Sequence, residues 1–151
     1  MKRTFLFLVA FVVLLAGCEK STPPAADSLV GVYGADLRND GKITPLLKVE
    51  KGDTTSGYVL YEYSKGEWRR PKKAWVGDAG KAQDVLPFTK ADLEKLVNHP
   101  VDVDPVGIQT KGTALVRVPA GWSDNGRNKP FTTKTGYFAM TFLGPIELQR
   151  M

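Results

Sequence analysis

The chain of 151 residues contains one cysteine, one histidine and no apolar run long enough to cross a bilayer. Each scarcity removes a class of function. A lone cysteine forms no internal disulfide, so an exported form folds without a covalent staple, and a Cys-based metal site is excluded. A single histidine, His99, excludes the His-rich constellations that hold catalytic zinc. A transmembrane helix needs about 20 apolar residues. The longest apolar stretch is the twelve residues Phe5–Ala16, and Cys18-Glu19-Lys20 ends it with charge. The chain has no Gly-x-Ser-x-Gly elbow, no Gly-rich phosphate loop opening a helix and no solenoid or propeller repeat. Its net charge of +5 is too small to argue for nucleic acid as a partner.

What is present begins at the N-terminus. Lys2 and Arg3 precede the apolar stretch, and Leu15-Ala16-Gly17 ends it with small residues directly before Cys18. A cationic start, a short apolar segment and a small-residue cleavage site describe a secretory signal peptide. The Leu15-Ala16-Gly17-Cys18 ending resembles the lipobox of bacterial lipoproteins. In that family the cysteine thiol receives a diacylglyceryl group, the signal is cut before the cysteine, and the new amino group is often acylated. The resemblance implies a signal peptide over 1–17, lipidation at Cys18 and a membrane partner held through that lipid. A single acyl chain binds marginally, at about 0.8 kcal/mol per buried CH₂, whereas two or three make release negligible. In lipoproteins of enteric-type bacteria an Asp after the cysteine favours the inner membrane. Glu19 departs from that signal, which implies the outer membrane, facing the periplasm.

Cleavage removes Lys2 and Arg3, and the charge falls from +5 to +3. Residues 18–28 include Ser21-Thr22-Pro23-Pro24-Ala25-Ala26, small and Pro-rich, and read as a flexible tether. Residues 29–151 have the length of one domain, large enough for its own core.

The periodicity of that domain is mostly two. Ile43, Leu47 and Val49 alternate with Thr44, Lys48 and Glu50, a half-buried strand that is an edge or begins near Pro45. Tyr58–Tyr63 is rich in β-formers. Ala114, Val116 and Val118 share a face, as do Phe138, Met140 and Phe142, and Ile146–Gln149 closes the chain with alternation. Turn signals separate these runs at Asn39-Asp40-Gly41, Lys51-Gly52-Asp53, Ser64-Lys65-Gly66, Asn125-Gly126 and Gly144-Pro145. One short helix is predicted near 90–98: Thr89 and Asp92 form a capping box, Leu93, Leu96 and Val97 share a face, and Asn98 and Pro100 stop it. The expected fold is mainly β, a single antiparallel sheet domain, either a small barrel or a sandwich, with that one helix. Gly31-Val32-Tyr33 and Ile146–Gln149 are candidates to pair and close a barrel.

The strongest local anomaly is Trp68-Arg69-Arg70-Pro71-Lys72-Lys73-Ala74-Trp75, four cations between two tryptophans. Arg and Trp are enriched at binding hot spots, and cations beside aromatics meet acidic partners or anionic headgroups. The plain alternative is a solvated hairpin whose cations protect a sheet edge. Trp122, in the polar loop Gly121–Pro130, is either a further contact or a lid on the core. The candidate partner-binding set is therefore Trp68, Arg69, Arg70, Lys72, Lys73, Trp75 and Trp122, which would form one aromatic-basic surface if the two loops share an end of the sheet.

Weaker constellations carry little. Asp36, Asp40 and Gly41 match the start of a calcium loop, but Arg38 occupies a ligand position and Leu47 replaces the closing Glu, so a hairpin turn is the better reading. His99 reads as a helix-terminal residue, and Asp102 and Asp104 as ordinary carboxylates on an extended segment. No metal and no cofactor is expected. The carboxylates suffice in number for a glycosidase pair, but nothing points to one. The sequence leads to a membrane-anchored periplasmic protein that binds another envelope protein and is not an enzyme, with an inhibitor or immunity protein against an envelope-targeting enzyme as the first expectation. A structural or assembly accessory of the outer membrane is the alternative, and a lipid or small-ligand carrier follows if the domain is a hollow barrel.

Overall fold

A computed structural model describes residues 29–73, 79–126 and 130–151. The expected signal peptide and tether, with Cys18, and Trp75 lie outside them.

The chain is mainly β, with 46% strand against 8% helix. Nine strands form one antiparallel sheet curled into a half-barrel, in place of a closed barrel or a two-sheet sandwich. In chain order they are β1 (Gly31–Ala35), β2 (Thr44–Lys51), β3 (Tyr58–Ser64), β4 (Glu67–Arg69), β5 (Leu86–Phe88), β6 (Val106–Gln109), β7 (Thr113–Arg117), β10 (Tyr137–Thr141) and β11 (Gly144–Arg150). Two short strands, β8 (Ser123–Asp124) and β9 (Phe131–Thr132), pair as a separate hairpin, and α1 spans Lys90–Val97. The sheet order is β4-β3-β2-β1-β11-β10-β7-β6-β5. The first and last strands do pair, through Tyr33↔Arg150 and Gly34↔Gln149. Their contact lies in the middle of the sheet, joining an N-terminal meander to a C-terminal set of strands, and the edges β4 and β5 do not pair with each other.

The turns follow backbone chemistry. Lys65 and Gly66 both take positive φ, 52° and 83°, between the paired Ser64 and Glu67. That is the turn whose twist matches two antiparallel strands. Pro45 stands one residue inside β2, beyond the stretch paired with β3, so its missing N–H costs no bond to β3. Pro87 is tolerated because β5 is an edge. Phe142 does not continue the Phe138–Met140 face. It is 90% exposed in the two-residue turn between Thr141 and Gly144, and the chain reverses before Gly144-Pro145 rather than at it.

The curl gives the sheet two unlike faces. On the concave face, Tyr33, Leu47, Leu60, Ile108, Leu115 and Leu148 form one buried cluster although their strands are far apart in the sheet order. The Tyr33 hydroxyl donates to the Leu29 carbonyl at 2.8 Å, and burial pushes its pKa up to about 12. On the convex face, Ala114, Val116, Phe138 and Met140 form a second cluster with Leu93 and Val97 of α1 and with Val101 and Val103. Residues 114–116 are therefore buried on both faces, which is why β7 reads as a continuous apolar run.

The helix starts as its sequence predicts. The Thr89 hydroxyl accepts from the Asp92 N–H, and the Asp92 carboxylate accepts from the Thr89 N–H at 2.8 Å. Asn98 ends it at φ 60°, a left-handed cap. Leu93 and Val97 are buried, while Leu96 lies to the side and is exposed.

Candidate partner-binding surface

β2, β3 and β4 point alternate side chains to the convex face. Tyr63 and Trp68 are directly opposed across β3 and β4, their ring centroids 4.9 Å apart and tilted by 58°. Lys48 and Tyr61 are opposed across β2 and β3. The Lys48 ammonium lies 4.6 Å from the Tyr61 ring centre and 5.7 Å from that of Trp68. It also reaches Glu50, two residues along the same face, at 3.0 Å. The hydrogen bond from Lys48 holds the Glu50 carboxyl below its ordinary value, against a small opposing effect of burial. Two aromatic rings thus flank one cation and a third, Tyr63, packs on Trp68; Trp68 and Tyr61 are only half-buried while Tyr63 is exposed. Such a surface offers ring faces for stacking and a positive charge partly stripped of water.

The predicted basic run does not act as one block, because an extended strand sends successive side chains to opposite faces. Trp68 faces outward. Arg69 faces the other way and closes onto Glu67 at 2.8 Å. Beyond the strand, Arg70 and Lys72 join Glu67, Arg69, Gly80 and Ala82 around a depression of about 460 Å³ at the β4 edge. A short hairpin forms this rim, with Lys72 opposite Ala82 and the Gln83 N–H donating to the Pro71 carbonyl at 2.8 Å. Lys73 lines a different depression, of about 700 Å³, with Asp84, Leu86, Gln109 and Lys111. There the Thr55 hydroxyl, bonded to Asp84 at 2.5 Å, holds the Asp84 carboxyl below its ordinary value.

Trp122 is separate from all of these. Its ring stacks on Phe138 at 6.1 Å and 11°, and it packs on the second core as a lid. Trp68 on β4 and Phe138 on β10 are five strand steps apart, roughly 24 Å at the usual strand spacing. The proposed common surface of Trp68 and Trp122 is corrected accordingly. Trp75 falls outside the described residues.

Two groupings escaped sequence reasoning. The first is the Lys48–Tyr61–Tyr63–Trp68 cluster, whose members alternate correctly but whose strand pairing only the fold reveals. The second is a clasp: His99 Nε2 lies 2.7 Å from the buried Asp124 Oδ1, and His99 Nδ1 lies 2.8 Å from the Pro100 carbonyl. Both ring nitrogens therefore face acceptor oxygens. A ring so engaged offers no nitrogen to a substrate proton. Gly126 packs against this imidazole so closely that a Cβ there would come within 2.2 Å of Nε2.

The remaining candidates resolve as local structure. Both carboxylate oxygens of Asp36 accept backbone N–H groups, from Asp40 at 3.1 Å and Gly41 at 2.7 Å. The Gly41 bond chiefly holds that carboxyl below its ordinary value, so Asp36 caps its own turn. Asp102 and Asp104 are exposed between the buried Val101 and Val103, and Asp104 lies 3.8 Å from Lys90. Among the described residues no group of three or more His, Cys, Asp and Glu is placed to hold a metal ion. No helix among them is long and apolar enough to cross a membrane.

The chain matches no family model, no curated protein and no solved structure. Functional reasoning rests on its own geometry.

Proposed function

We propose that the mature chain is a lipid-anchored binding module of the bacterial envelope, held by Cys18 at the outer membrane and facing the periplasm, whose β2–β4 face engages an acidic protein. The reading is carried by one observation: Lys48 lies over the rings of Tyr61 and Trp68, with Tyr63 packed on Trp68, on a surface that the helix and the β8–β9 hairpin leave bare. Aromatic and cationic side chains in contact are what hot spots at protein interfaces are made of. Arg70 and Lys72 at the adjoining edge extend the positive field toward an acidic partner. An inhibitor or immunity protein that occludes an envelope-targeting enzyme needs such a face and no chemistry of its own.

The test is capture from envelope extract with the native lipoprotein. A stoichiometric partner should be recovered, and Lys48→Glu combined with Trp68→Ala should weaken its binding at least about tenfold. Undiminished capture by that double variant removes the proposed surface. Cys18→Ser should release the protein from the membrane fraction, and persistence there would remove the proposed anchor.

A further inference from the structure

Among the described residues the most exposed large apolar side chains are not on the proposed binding face. Phe142 and Leu143, adjacent at the tip of the β10–β11 hairpin, are 90% and 82% exposed. The tip is built to stay open. Thr141 and Gly144 are paired, the Thr141 hydroxyl donates to the Gly144 carbonyl at 3.0 Å, and the Leu143 N–H donates back to that hydroxyl at 3.2 Å. Gly144 takes φ +113°, which few side chains tolerate. The neck is thus closed by hydrogen bonds, and both large side chains project from a turn too short to fold them back. Neither side chain contributes to the core, and two adjacent apolar side chains held in water form a patch of the kind that marks a contact site.

The charge around the tip indicates which environment. β7 runs beside β10 as far as Thr113↔Thr141, which brings the Lys111-Gly112 turn alongside Phe142. On the other flank, β11 pairs with β1 only at Gln149 and Arg150, and β1 ends at Ala35. The hairpin therefore stands beyond the end of β1 by about four residues, roughly 13 Å. The β1–β2 loop leaves from that ledge with Leu37, 55% exposed, and with the exposed Arg38 and Lys42. The acids of the same loop, Asp36 and Asp40, are turned onto its backbone N–H groups. An apolar wedge with cations on both flanks matches the boundary of an anionic bilayer, where hydrocarbon takes the apolar tip and headgroups take the charge. A convex two-residue wedge has no groove or flat area to offer a folded partner.

We infer that the Phe142–Leu143 hairpin inserts into the surface of an anionic phospholipid bilayer, with Lys111, Arg38 and Lys42 against the headgroups. This is a second membrane contact, independent of any lipid on Cys18. The tether permits both at once when largely extended: eleven residues, 18–28, reach at most about 38 Å, against roughly 29 Å for the length of β1 plus the hairpin's overhang beyond it.

The experiment uses the chain from residue 18 onward carrying Cys18→Ser, so that no acyl anchor contributes. It is sedimented with vesicles of phosphatidylcholine plus phosphatidylglycerol and, separately, of phosphatidylcholine alone. Binding to the anionic vesicles is expected, weakened by salt. Phe142→Ser with Leu143→Ser should lower the partition about tenfold or more. Lys111→Glu should lower it several-fold, and Leu143→Trp should raise it. The thermal midpoint of the double serine variant should match that of its parent, since both side chains are outside the core. No binding to anionic vesicles, or equal binding by the double serine variant, overturns the inference. Loss of a captured protein by that variant without any vesicle binding would assign the tip to a protein and overturn it equally. Each of these failures leaves the Cys18 anchor and the β2–β4 face untouched.

Discussion

On the convex face of the sheet, β7 and β10 carry Ala114, Val116, Phe138 and Met140, and α1 with the β8–β9 hairpin lies over them. On the same face β2, β3 and β4 carry Lys48, Tyr61, Tyr63 and Trp68, which among the described residues make ring and charge contacts with one another and with Glu50. Both halves are built of antiparallel strands at the same spacing. They differ in side-chain chemistry: small and aliphatic residues plus one phenylalanine ring under the cover, amphipathic rings and a cation where there is none. Tyr and Trp tolerate water at one end and an apolar neighbour at the other, so a face built from them survives exposure and still rewards a partner. Phe138 has no such polar end and is 1% exposed. One half of the face is a folding surface, and the other is the contact surface we propose.

That contrast is easiest to break by truncating one aromatic in each half. Phe138→Ala removes a ring in contact with both Trp122 and Phe131 and should cost about 3–5 kcal/mol, measured by urea unfolding. Trp68→Ala should cost under about 1 kcal/mol, because an exposed cross-strand pair is lost without leaving a cavity. Comparable losses at the two sites would mean that the β2–β4 face is itself part of a packed interior, and the binding proposal would lose its footing.

A smaller effect sharpens the same comparison by loosening the cover. His99 follows the cap of α1, and Asp124 belongs to β8, so their 2.7 Å contact fastens helix to hairpin. His99→Ala leaves the nearly buried Asp124 carboxylate without that donor and should cost about 2 kcal/mol. The loss should concentrate in the cover: amide exchange should rise in α1 and in β8 and β9, while β2 and β3 keep their protection. Uniform loss across the sheet would show that cover and sheet unfold as one unit.

Much of the fold was legible because it is written in local periodicity. The strands at Thr44–Lys51, Tyr58–Ser64 and Thr113–Arg117, and the capped helix, sit where alternation, turn residues and the Thr89–Asp92 spacing place them, and the alternation of Ile146–Gln149 lies within the last strand, which starts two residues earlier, at Gly144. β5 and β6 were not legible: three and four residues are too few to show a period, and Pro87 argues against a strand until the edge position is known. Phe142 was misassigned for a related reason. Alternation continues through it in sequence, but Gly144 turns the chain two residues too early for it to matter. The candidate site was legible only as composition. Trp68 and its cations stand out in the chain, yet the period of two divides them between faces, and the neighbours of Trp68, Lys48 from β2 and Tyr61 and Tyr63 from β3, arrive through pairing that local pattern does not reveal.

The least expected loss lies at the start of the helix that makes the cover. Burial pushes the Asp92 carboxyl up, but the Thr89 hydroxyl and N–H outweigh it and hold it below its ordinary value. A carboxyl more acidic in the folded chain than in the unfolded one adds stability that is complete above its unfolded value and vanishes as pH falls through the folded one. The capping contribution of Asp92 should therefore be full at neutral pH and fade only below about pH 4. Asp92→Ala should cost about 1 kcal/mol at pH 7 and less as the pH is lowered. The difference between parent and variant, followed by urea unfolding at pH 7 and at pH 3, should narrow. A constant difference would mean that the Asp92 side chain acts through packing rather than through its charge, and that the cover is held at this end by Leu93 alone.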